Sequence, residues 1–289
     1  MTGSAQAALL ADGRRLHLQH GPIDIIAEAF GDPAEVRLAY RQTMSRFETI
    51  LTELVAELAL LRRPITGAGL AVAGPVARRM VAAVWPYRQQ FVTPMAAVAG
   101  AVADEVLDAM LAGRRLARAY VNDGGDIALH MAPGERLVAG LVANPDAPAL
   151  DGKVELDHAT PVRGLATSGW RGRSFSLGIA DAVTALAASA AAADAAATLI
   201  ANAVDCDHPA ITRAPARALR EDTDLGDLPV TIEVGPLPGP AIERALADGA
   251  RCAEAFRRTG LIFGASLVLQ GRARIVGPLR TDLSRVVAG

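Results

Sequence analysis

A chain of 289 residues with a net charge of −2 carries no electrostatic footprint for nucleic acid. Hydrophobic residues reach 51%, yet aromatics supply only 4%, so the core is expected to pack from small side chains with backbones close together. The mean hydropathy of +0.26 raises the question of a membrane. The longest nearly apolar run, Phe91 to Ala103, is broken by Thr93 and Pro94 and ends at Asp104, too short to span a bilayer.

The opening Met-Thr-Gly-Ser-Ala-Gln has no basic stretch before an apolar one, which predicts a cytoplasmic protein without a signal peptide. Lys153 is the only lysine, and in Asp-Gly-Lys-Val it reads as a turn residue. That removes a Walker-type lysine and argues against Schiff-base chemistry. Cys206 and Cys252 are far apart and form no Cys-x-x-Cys pair, so neither a disulfide framework nor a zinc site is implied.

In chain order, Arg15–His20 and Ile23–Ala29 alternate around Gly21-Pro22, which predicts a hairpin. The odd spacing puts His17 and His20 on opposite faces, so a surface or strand-edge role is expected rather than a shared metal. Asp32-Pro33 is a helix start, with Asp at the N-cap and Pro at the first position. Apolar residues from Val36 through Phe47, Ile50, Leu51, Leu54, Val55 and Leu58 keep a helical period until Pro64. The glycine-rich run Gly67–Gly74 lacks the spacing of a dinucleotide fingerprint and reads as a connection into a helix over Val76–Val84, closed by Trp85-Pro-Tyr87. After Phe91 a second helix is predicted, with Val102, Val106, Leu107 and Met110 buried. The small residues Ala96–Ala101 suit a close backbone approach, to a ligand or to another helix.

Ala117–His130 reads as strand, turn, strand around Asn122-Asp-Gly-Gly-Asp126, with Gly124-Gly125 supplying positive φ or ligand approach. Strands follow at Glu135–Ala143 and Val154–His158, with a loop at Pro145–Pro148. The central stretch then opens with the polar turn Thr167-Ser168-Gly169, followed by Arg171 and Arg173. Ile179–Val204 is either one alanine-rich helix, or a short strand over Ala182–Leu186 and a helix from about Ala190. If its end is helical, Asp194 and Thr198 stand one turn apart on one face. A carboxylate, hydroxyls, amides and two guanidinium groups suit a phosphorylated ligand with a divalent cation. The alternative is a buried alanine-rich helix behind a polar turn. Asp205, Asp207 and His208 read as a charged loop, and Arg220–Asp227 lacks calcium-loop spacing. A strand at Val230, a helix within Pro240–Gly260 and a buried strand over Leu261–Gln270 complete the order. Hairpins mixed with helices predict an α+β fold, with helices layered on mixed or antiparallel sheets.

Val121-Asn-Asp-Gly-Gly-Asp-Ile127, Ala166-Thr-Ser-Gly169 and Ala193-Asp-Ala-Ala-Ala-Thr198 resemble, in order and separation, the motifs of the ApbE-like superfamily. Gly100 and Asp104 match its Gly-x-x-x-Asp helix start. The best-known members are magnesium-dependent FAD:protein FMN transferases, and the texture of this chain looks closer to an uncharacterised branch. The resemblance implies a T-fold-like architecture over residues 1–289, as one unit or as two closely packed lobes with the site between them. It implies Mg2+ on Asp194, Thr198 and a backbone carbonyl near Val98. FAD or FMN would then lie along Asn122, Gly124, Gly125, Asp126, Thr167, Ser168 and Gly169. Two positions depart from the transferase pattern. Ser174–Gly178 replaces a His-x-x-Asp-Pro segment, whose histidine is implicated in catalysis, and Ala99 replaces a lysine. The function expected is binding of a flavin nucleotide or other phosphorylated cofactor with Mg2+, with nucleotide transfer or pyrophosphate hydrolysis as its enzymatic form. The alternatives are a non-catalytic binder and an enzyme with a non-flavin substrate in the same groove. The expected partner is a small phosphorylated molecule, not nucleic acid or a membrane, and the chain is compatible with a homodimer.

Overall fold

The computed structural model describes residues 3–141 and 152–278; the expected loop Pro145–Pro148 and the end of the strand before it lie outside them. In chain order the elements are β1 (Gln6–Leu9), β2 (Leu16–His20), β3 (Ile23–Gly31), α1 (Pro33–Leu61), α2 (Pro75–Val84), α3 (Val98–Leu111), β4 (Leu116–Asp123), β5 (Asp126–Met131), β6 (Arg136–Leu141), β7 (Gly152–Asp157), β8 (Gly164–Ser168), β9 (Ala182–Ala187), α4 (Ala190–Ala203), β10 (Ile211–Pro215), α5 (Ala216–Leu219), β11 (Pro229–Val234), α6 (Gly239–Arg258), β12 (Gly264–Leu269) and β13 (Arg272–Val276). This is an α+β protein, and the strand registers are antiparallel. The chain forms two compact units. The first takes the residues up to Leu137 with Asp157–Leu165 and Ala188–Asp194; the second takes the others.

In the first unit β1 to β5 form a meander, and the start of β8 pairs with β5 through Ala128 and Gly164. The helices α1 and α3 cover one face of it, and α2 packs on those two helices. The alternation read from the sequence is what builds that face: Leu16, Leu18, Ile25, Ala27, Ala119 and Val121 point inward against Phe47, Ile50, Val102, Val106 and Met110. α1 starts where Asp32 accepts from the Ala34 and Glu35 N–H groups, which meets amides that the helix itself leaves without partners. Arg46 joins Glu53 of its own helix to Glu105 of α3, and Arg79 of α2 reaches the same Glu105.

Two details correct the expectations. Val55 is 52% exposed, because it lies about 100° round α1 from Leu54, off the stripe that Phe47, Ile50 and Leu54 bury. His17 is at the surface beside Asp24, as expected, but His20 is only 6% exposed and packs edge-on to Phe47.

In the second unit β12 pairs with β9 on one side and with β13 on the other, and α6 packs on β12. β10 pairs with β11. The strand-then-helix alternative is the one adopted in the central stretch: β9 is buried at every position and α4 begins at Ala190. The run Ala182-Val-Thr-Ala-Leu-Ala187 becomes a strand despite its alanines, because burial on both faces outweighs weak local propensity.

Candidate functional site

The starts of α3 and α4 meet in the first unit. Gly100 lies against the α4 backbone so closely that a Cβ there would sit 2.3 Å from the Ala190 carbonyl oxygen. Gly164 presses on the same turn, with a Cβ position 2.1 Å from the Ser189 carbonyl carbon. At this junction each helix caps the other. Asp104 of α3 accepts from the Ala190 N–H (3.0 Å) and the Ala191 N–H (2.9 Å), and Asp194 of α4 accepts from the Gly100 N–H at 3.1 Å. α3 has no side-chain cap of its own at Ala97, so the Asp194 carboxylate serves that end from outside the helix. The close approach suggested by the small residues Ala96–Ala101 is therefore helix against helix.

α4 is buried almost all round, and Asp194, Thr198 and Asn202, each four residues from the next, stay partly accessible along one strip. Burial pushes the Asp194 carboxyl up to about 7; the Gly100 and Ala99 amides pull it down, and the charges of Asp123 and Asp104 push it further up. Val98 is the first residue of α3.

The other first-unit candidates form the β4–β5 turn. Gly124 (φ 64°) and Gly125 (φ 112°) take the left-handed conformations that a side chain disfavours. Asn122 accepts from the Gly125 N–H at 2.8 Å, so its carbonyl oxygen holds the turn in shape. Asp126 opens β5, paired in register with Asp123. Asp123, inside this turn, was not among the residues expected near the cation. It is 5% exposed, and its charge raises the Asp194 pKa. A signal for it existed: strand alternation places residue 123 on the inward row of Ala119 and Val121.

In the second unit, Thr167 shares a hydrogen bond of 2.8 Å with Thr184, Ser168 ends β8, and Gly169 packs under β9. A Cβ on Gly169 would lie 2.4 Å from the Asp181 carbonyl oxygen, so packing alone demands glycine there. The Asp181 carboxylate gathers three donors. It accepts from Trp170 Nε1 (3.1 Å), Arg171 Nε (3.0 Å) and the Gln270 N–H (2.5 Å), and the Arg171 guanidinium stacks on Trp170 at 4.4 Å. Ser174–Gly178 is tied to the end of α4. Asn202 accepts from the Leu177 N–H (2.9 Å), and a Cβ on Gly178 would lie 2.1 Å from the Ala201 carbonyl oxygen. This segment serves as a structural tie. Asp205 pairs with Arg213 while His208 accepts from the Ala210 N–H, which makes that stretch the charged loop expected.

The donors at the first-unit junction are oxygens, the ligand type of hard cations. Among the described residues no three His, Cys, Asp or Glu side chains converge to hold a metal. Both Asp104 oxygens are taken by helix amides. Asp194 has capacity beyond its amide partners, since a carboxylate offers about four lone-pair directions, and the like charge of Asp123 favours a cation beside it. One or two carboxylates completed by a phosphorylated ligand are what Mg2+ accepts.

The model of the family described as AbpE bacteria matches residues 7–275. A UPF0280 protein of Methanopyrus kandleri is 38% identical over 154 residues, covering 53% of this chain and 58% of that protein. One from Methanothrix thermoacetophila is 38% identical over 137 residues, covering 47% and 54%. The chain thus matches these curated relatives over little more than half their length. Among solved structures, the ApbE protein of Thermotoga maritima aligns over 95% of this chain and 96% of its own at 13% identity, with a TM-score of 0.47. The flavin transferase ApbE of Vibrio cholerae aligns over 96% and 98% at 12% identity, with a TM-score of 0.43.

Proposed function

The chain belongs to the AbpE bacteria family, an uncharacterised ApbE-like branch, and from that premise we propose that it binds a flavin nucleotide or another phosphorylated cofactor together with Mg2+. The observation that carries the reading is Asp194: a carboxylate on an otherwise buried helix, beside a second acid, with Thr198 one turn further on. Asp194, Thr198 and a backbone carbonyl at or beside Val98 are the metal ligands of this proposal. The Asn122–Asp126 turn, with Gly124 and Gly125, and Thr167, Ser168 and Gly169 are its nucleotide-binding residues. Mg2+ bound there would neutralise phosphate charge. Asp194 would contribute the ionised oxygen, and Thr167 and Ser168 their hydroxyls.

Between holding the cofactor and turning it over, Ser174–Gly178 favours holding. The segment carries no histidine, and its ties to Asn202 and Ala201 spend it on structure. A general base is worth roughly 10²–10⁴-fold in rate, so any transferase activity should be slow.

The test is FAD titrated into the protein with Mg2+ and with chelator, followed by chromatography for FMN and AMP. Retention of FAD that depends on Mg2+, lost in Asp194→Ala, is the expected result. Neither retention nor turnover with FAD and Mg2+ would sink the flavin form of the proposal. Mg2+ dependence unchanged in Asp194→Ala would sink the assignment of the metal ligands.

A further inference from the structure

We propose that Asp104 is the positioning residue of the cation site, fixing Asp194 through the start of α4 without touching the ion; this rests on the reading of Asp194 as a metal ligand. Gly100 and Asp104 are four residues apart on α3, and Ala190 and Asp194 are four apart on α4, so each pair lies on a single helix face. The two pairs are crossed. Gly100 meets Ala190 backbone to backbone, Asp104 holds the Ala190 and Ala191 amides, and Asp194 returns to the Gly100 amide.

The consequence is geometric. Asp194 lies one turn beyond Ala190 on a rigid helix, so whatever fixes the rotation and height of Ala190 fixes the Asp194 carboxylate. Asp104 supplies the partners for the first two α4 amides, while Ser189 Oγ accepts only from the Ala192 N–H, at 3.2 Å. Gly100 makes this possible, since any side chain there would push α4 away. Each Asp104 oxygen already accepts a helix amide, and the role proposed for it is to hold Asp194 in place rather than to touch the ion. An outer partner that orients a metal ligand behaves in this way.

The experiment is calorimetric titration of Mg2+, alone and with FAD present, into the full chain as wild type, Asp104→Ala, Asp104→Asn and Asp194→Ala, below the melting temperature of the least stable variant. Asp104→Ala is expected to weaken Mg2+ binding by roughly 10- to 100-fold. Asp104→Asn, which keeps one acceptor oxygen, should fall between it and wild type. A role in stability alone would lower the melting temperature of a folded Asp104→Ala and leave its Mg2+ affinity within about two-fold of wild type, and that result overturns the proposal. Should Asp104→Ala fail to fold, Asp104→Asn is judged by the same criterion. Failure of the underlying reading looks different: wild type binds no Mg2+, or Asp194→Ala binds it unchanged, and the positioning role then falls with it.

Discussion

Asp194 is a carboxylate held against its own ionisation. Burial and the charges of Asp123 and Asp104 outweigh the helix amides that favour its charged form, and its pKa rises to about 7. Burial likewise raises Asp104. A raised carboxyl pKa means that the folded chain binds the proton more tightly than the unfolded one. Stability from this group is therefore greatest in acid, declines as pH climbs from about 4 to about 7, and is level above that. Without metal, the melting temperature of Asp194→Asn relative to wild type should rise across that interval, and saturating Mg2+ should shrink the difference by stabilising wild type alone. Mg2+ affinity should climb over the same window, with a proton released on binding near pH 6. A difference between wild type and variant that is flat in pH would contradict this account of Asp194. The spacing of Asp194 and Thr198 was legible in the sequence as one helix face. The influence of Asp123 on Asp194 was not legible, because it arises only once the fold brings the β4–β5 turn near the start of α4.

At the scale of elements, helix starts and close crossings hold the chain in place. α1 was readable end to end, since Asp32-Pro33 and Pro64 are local signals; Asp32→Ala should cost about 1 kcal/mol in chemical denaturation. Crossings are set by glycines whose importance no local signal reveals. Gly178→Ala would drive a Cβ to 2.1 Å from the Ala201 carbonyl, against 3.1 Å from the Gly169 carbonyl for Gly172→Ala. The first is expected to lose roughly 1–3 kcal/mol, and urea midpoints should place the second much nearer wild type. If the order is reversed, the tie between Ser174–Gly178 and α4 is not what fixes that segment. The choice between one long helix and strand-then-helix in the central stretch also fell at this scale. Alanine runs favour helix locally, and neighbours on both sides of Ala182–Ala187 made it a strand.

Across the whole molecule, the composition has a direct structural expression. A chain with so few aromatics fills its interior with alanine, and Ala193, Ala195, Ala196 and Ala197 are fully buried on α4. Such a core tolerates enlargement poorly. Ala196→Leu should cost at least 1–3 kcal/mol, whereas Ala56→Leu on the exposed side of α1 should stay within about 0.5 kcal/mol; equal effects in thermal or urea melts would show that the interior has room to spare. Among the described residues no helix is long and apolar enough to cross a membrane, in line with the broken run at Phe91–Ala103. The sequence by itself determined the class of fold, most helix and hairpin positions, and the three motifs that point to the family, because these follow from periodicity, turn chemistry and spacing along the chain. It missed β1, β10 and β13, short strands with two or more exposed positions and little alternation to read. Only the tertiary structure decided how the motif residues pack: that Gly100 and Asp104 clasp the start of α4, that Asp194 caps α3, and that the charge of Asp123 acts on it. Those roles come from residues about ninety positions apart meeting at two helix ends, and a pattern read along one strand or helix does not contain such a meeting.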